Sequence, residues 1–139
     1  MRIHHLMNMV LIFTISLAIS PAAIAVTPIM ELQAITPHQS TYILVEQNEK
    51  DFTLTKRLPG IPLETQKVDA KFTQELTQTL QQIKTLRNKT NVPVKSCDGR
   101  YFSLKFLVKK SKTEIIECFH SASLISKKIK SLQTTLLAY

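Results

Sequence analysis

Phe102, Leu104, Phe106 and Val108 stand at every second position of a stretch whose other members, Tyr101, Ser103, Lys105, Leu107 and Lys109, are mostly polar. Side chains alternate between the two faces of a strand, so this pattern fits a half-buried strand and not a helix. A strand of that kind needs neighbours for its backbone and a second layer over its apolar face. The chain must therefore build a sheet whose two faces differ in character.

The partner strand follows directly. Lys110-Ser111-Lys112 reads as a turn and Thr113 to Phe119 as the returning strand. Pairing Lys109 with Thr113 sets Ile116 opposite Phe106 and Cys118 opposite Leu104, with Cys118 pointing into the core. A shift of one residue would turn Glu117 inward instead, which favours the first register. An earlier hairpin joins Thr41–Gln47 to Phe52–Leu58 around Asn48-Glu49-Lys50-Asp51. With Val45 opposite Leu54, it carries Ile43, Val45, Phe52, Leu54 and Leu58 on one face.

Helices follow each hairpin. After the turn Pro59-Gly60-Ile61-Pro62, the steps of Val68, Phe72, Leu76, Leu80, Ile83 and Leu86 predict an amphipathic helix over 66–87, with Thr65 as N-cap. Ile125, Ile129, Leu132 and Leu136 predict a second, capped by Ser121 or Ser123. Residues 26–40 hold Pro28 and Pro37 without a sustained period and read as an irregular leader segment. The expected fold class is α+β, a two-layer sandwich of order ββαββα, with a four-stranded antiparallel sheet and two helices on one face. Residues 41–139 form its single domain.

The N-terminus carries a different message. Arg2 precedes an apolar run from Leu6 to Ile19, Pro21 interrupts it, and Ala23-Ile24-Ala25 offers a small-x-small cleavage pattern. Residues 1–25 are read as an export signal, after whose removal no membrane span remains, leaving a periplasmic or secreted protein. In such a compartment the two cysteines are expected to pair. A Cys97–Cys118 bridge would close a loop of about 20 residues and contribute roughly 3 kcal/mol. Two cysteines fall short of the four ligands of a structural zinc site, so neither metal nor cofactor is expected.

Charge is unevenly spread along the chain, whose net charge is +8. From Val26 to Ile83 acidic residues outnumber basic ones, seven to five; from Lys84 to Tyr139 basic residues outnumber acidic ones, twelve to three. A field of this kind attracts anionic or acidic partners, although a solvated surface is the simpler reading of any lysine run. The same strand registers place Tyr42, Leu44, Arg57, Tyr101, Lys105, Leu107, Lys109, Ile115 and Phe119 on the face away from the core. That face is too apolar to be left to solvent, and its expected cover is the leader segment, a second copy of the chain, or a partner. With no RNP-type motif, nucleic acid is not the expected partner.

These features predict a small exported, basic, disulfide-stabilised binding or inhibitor-like module, not an enzyme, for a protein or anionic partner in the cell envelope or outside the cell. Its candidate binding residues are Arg57, Tyr101, Lys105, Lys109, Lys127 and Lys128. One alternative is a small nuclease-like hydrolase using His120, given the two histidines, His38 and His120, of the exported part. Another is a structural component of the envelope that dimerises through the sheet. No phosphate-binding loop, nucleophile elbow or CxxC pattern is present.

Overall fold

The computed structural model describes residues 25–89 and 97–139. The expected export signal lies almost wholly outside these residues. Over the described residues the chain is α+β, with two helices packed on a six-stranded sheet. Its elements are β1 (Val26–Ile35), β2 (Ser40–Asn48), β3 (Asp51–Arg57), β4 (Glu64–Val68), α1 (Ala70–Lys89), β5 (Tyr101–Val108), β6 (Ser111–Cys118) and α2 (Leu124–Leu137). Strand order across the sheet is β4-β3-β2-β1-β5-β6, and every neighbouring pair is antiparallel.

The expected four strands are thus six, and the order is ββββαββα. Residues 26–35, expected as an irregular leader, form β1, the seam between the N-terminal meander and the C-terminal hairpin. Met30, Leu32 and Ala34 are buried while Glu31 and Gln33 point the other way. Pro28 is accommodated by a bulge between Pro28 and Met30, a place where a residue without an N–H does least harm to a ladder. β4, at the edge, occupies residues expected to open the first helix. The helix instead begins at Ala70, where Asp69 Oδ1 accepts the backbone N–H of Phe72 at 2.7 Å.

One core fills the space between sheet and helices. Across the inner face, a row of residues in register runs Val45, Met30, Phe106, and a second runs Ile43, Leu32, Leu104, Ile115. Leu76, Leu80 and Ile83 of α1 and Ile125, Ile129, Leu132 and Leu136 of α2 close over them. Lys56, in the second row beyond Ile43, is buried and reaches Glu64 of β4 at 3.7 Å. It holds the last inward place in β3, which ends at Arg57, before Leu58.

The first hairpin pairs as expected, Val45 with Leu54. The second does not. Thr113 faces Phe106 rather than Lys109, and Val108 pairs with Ser111, leaving a two-residue turn of Lys109 and Lys110. Ile115 is consequently inside and Ile116 outside, 37% exposed, the reverse of the expected arrangement. Cys118 pairs with Tyr101 on the outer side instead of entering the core. Phe119, expected outside, packs against the core with its ring centroid 4.4 Å from that of Phe102. Glu117 does lie on the inner side, opposite Phe102, where it ends the sheet and accepts a hydrogen bond from Ser123 Oγ at 2.6 Å.

Candidate binding face

The disulfide Cys97–Cys118 is present, with Cα atoms 5.0 Å apart. Local backbone chemistry brings the two residues together. Asp98 and Gly99 both have positive φ, 52° and 73°, and the Arg100 N–H returns to the Cys97 carbonyl at 2.9 Å, which makes a turn of the tight hairpin kind. The Phe119 N–H then donates to the Arg100 carbonyl at 3.1 Å, so the β5–β6 ladder extends past Tyr101 and carries Cys97 alongside Cys118.

This corner also fixes α2. Ser123 caps the helix by accepting the Ser126 N–H at 3.1 Å, and the buried Ser126 hydroxyl donates to the Cys118 carbonyl at 3.1 Å. The chain of bonds from Glu117 through Ser123 and Ser126 to Cys118 holds the helix start to the end of β6. Where α2 begins is therefore set by the bridged hairpin.

The sheet's outer face has no layer over it among the described residues. On it, the row Arg57, Tyr42, Gln33, Ser103 crosses four strands, and Tyr101 and Lys105 flank Ser103 along β5. Arg57 and Ser103 are three strand spacings apart, about 14 Å. Three of the six candidate residues, Arg57, Tyr101 and Lys105, thus share one surface with Tyr42, Leu44, Leu107 and Ile116. Its charges are of both signs. Glu31, Lys105 and Glu114 follow one another across β1, β5 and β6, and the Gln33 amide donates to Glu31 Oε1 at 3.0 Å. Burial, then the carboxylates of Glu31 and Glu46, raise the pKa of the Tyr42 phenol above its ordinary value against the opposing pull of Arg57.

The bulge gives this face a hollow. β1 pairs with β5 only from Met30 onward, so Val26 to Ile29 and the end of β5 diverge. Between them opens a cleft of about 520 Å³, with Ile29 and Leu107 as apolar lining and Glu31, Lys105, Lys112 and Glu114 at its edges. Glu31 and Gln33 were missed as surface residues because their segment was expected to be irregular. The signal was the alternation of Met30, Leu32 and Ala34 with Glu31 and Gln33.

The remaining candidates lie elsewhere. Lys109 is exposed at the tip of the β5–β6 turn. Lys127 and Lys128 belong to α2, in the opposite layer, where Lys128 Nζ donates to Gln82 Oε1 of α1 at 2.9 Å. The six residues do not form one site. His38, in the β1–β2 turn, and His120, just after β6, are exposed at the same end of the sheet, and no hydrogen bond or ion pair joins them among the described residues. Among those residues, no group of three or more His, Cys, Asp or Glu is placed to hold a metal ion, and no helix is long and apolar enough to cross a membrane. No family model, curated protein or solved structure matches the chain.

Proposed function

We propose that this chain is an exported, disulfide-stabilised binding module, without catalysis of its own, whose partner is a protein that docks on the outer face of the sheet, in the cell envelope or outside the cell. The observation that carries the reading is the position of β1. The segment best placed to cover the outer face lies within the sheet, and the half-buried Tyr42, Leu44, Tyr101 and Leu107 and the more exposed Ile116 are left without a covering layer among the described residues. Apolar side chains grouped in this way favour an interaction surface over open solvent.

The distribution of charge narrows the partner's class. A polyanion would prefer a uniformly basic surface, whereas Glu31, Glu46 and Glu114 interrupt Arg57, Lys105 and Lys112. Alternating signs around apolar and aromatic side chains suit the mixed surface of a protein. The cleft beside the bulge provides a recess for one anchoring side chain, the usual centre of binding energy in such interfaces.

The test is capture of a partner by the oxidised protein, followed by quantitative binding with Tyr101→Lys/Leu107→Lys and Lys127→Glu/Lys128→Glu variants. The reading expects loss of binding in the first and retention in the second. Binding that survives the first and disappears in the second would reject it. If the cover is a second copy of the chain, the sedimentation mass doubles and Tyr101→Lys restores the monomer.

A further inference from the structure

We propose that the groove between α1 and α2 is a second docking site, distinct from the outer sheet face, and that it receives an amphipathic helix of a protein partner with carboxylates at one end. The two helices run antiparallel. Phe72, early in α1, meets Tyr139, just beyond α2, with ring centroids 4.4 Å apart, while Gln82, later in α1, bonds Lys128, early in α2. On the side away from the sheet they leave a groove of about 460 Å³. Leu76 and Leu132 contribute to its floor, and Leu124 stands at one end, 58% exposed.

The charges around the groove are graded along it. Lys127 and Lys128 are at the end with Leu124, and Glu75 lies toward the other. The first turn of α2 holds no acidic residue, so the positive end of its dipole adds to the lysines' field. An apolar floor with a basic end is complementary to a helix that presents an apolar stripe at i, i+3 or i+4, and i+7, with Asp or Glu flanking it at one end. A simple polyanion would neutralise the lysines and leave the floor wet. The Lys128 ammonium now uses one of its three N–H donors on a neutral amide oxygen, and a partner carboxylate would add a bond in which both groups are ionised. Glu75 would repel the same carboxylates, so the gradient also selects the direction in which the helix lies.

The experiment uses the oxidised full domain and a synthetic Leu/Glu amphipathic helical peptide with its glutamates at one end. Affinity is read by fluorescence anisotropy and location by amide chemical-shift changes. Supporting results are shifts confined to α1 and α2, and affinity weakened about tenfold by Lys127→Glu/Lys128→Glu and also reduced by Leu124→Asp, as for rim charges and an apolar anchor. Tyr101→Lys, on the other layer, should leave this binding unchanged, which separates its failure from failure of the outer-face reading. Four results would overturn the proposal: no binding, shifts on the sheet instead of the helices, equal binding by polyglutamate or a scrambled peptide, or binding to phosphatidylglycerol vesicles in place of the peptide. Circular dichroism of each variant shows that the fold is retained.

Discussion

At the scale of single residues, the turn of β5 and β6 is where backbone geometry and side-chain chemistry disagree most. Lys109 and Lys110 have φ of 49° and 63°, in the left-handed region that costs a residue with a Cβ about 1 kcal/mol or more. Neither is glycine or asparagine, the residues that ordinarily occupy such a turn. Lys110→Gly should therefore raise stability by roughly 0.5–1 kcal/mol in urea unfolding, since relief of strain exceeds the added freedom of the unfolded chain. Unchanged or lower stability would mean that Lys110 is not strained. A second residue-scale consequence concerns Tyr42. Its folded-state pKa is raised from 10.0, chiefly by burial and then by Glu31 and Glu46, so the folded state keeps the phenolic proton longer than the unfolded chain. The stabilising contribution is complete below about pH 10 and is lost as pH rises from there through the folded value. Tyr42→Phe should flatten this part of the alkaline stability profile, measured by urea midpoints from pH 9 upward.

Among the elements, the bridged hairpin has the widest influence, because it carries the two strands that complete the core and fixes the first turn of α2. Replacing both cysteines by alanine should cost about 3 kcal/mol, the loop-entropy value for a bridge of this span. Amide exchange should then rise first at Ser123 and Ser126, whose bonds tie α2 to the Glu117–Cys118 end of β6. Uniform loosening across both helices would contradict that linkage. How well each element could be read from the sequence follows the same chemistry. β2 and β3 were legible down to their register, because alternating apolar residues flank an Asn-Glu-Lys-Asp turn that leaves little freedom. The β5–β6 pair was legible as a hairpin but not in register: two lysines in left-handed conformations look like any other polar pair, and Glu117 was excluded from the inner side without knowledge that Ser123 would bond it. β4 was absorbed into the helix because Val68 is its single buried residue, and one apolar position fits either period. For α1 the periodic stripe was clear and only the start was misplaced, since Asp69 rather than Thr65 caps it.

For the molecule as a whole, the core is continuous from β3 to β6 and is shared by both helices. Unfolding should be a single cooperative transition, with far-ultraviolet dichroism and tyrosine fluorescence giving the same midpoint. Two separate midpoints would show that the β2–β4 meander and the C-terminal hairpin melt independently. The α+β class and its helical layer were legible because they depend on periods averaged over many residues. The size of the sheet was not, because Pro28 and Pro37 mask the short alternation between them. Three of the candidate binding residues met on one face because a strand's period assigns each residue to a side. Lys127 and Lys128 were grouped with them by charge alone, which carries no information about the layer to which a residue belongs.

The placement of β1 also bears on the order in which the fold can be assembled. The first strand of the sheet joins β2 early but must wait for β5, which arrives three strands and a helix later. A chain emerging N-terminus first, from a ribosome or through a membrane channel, therefore carries an open seam along β1 for most of its passage. During that interval any passing extended segment is a competitor for the place that β5 will fill.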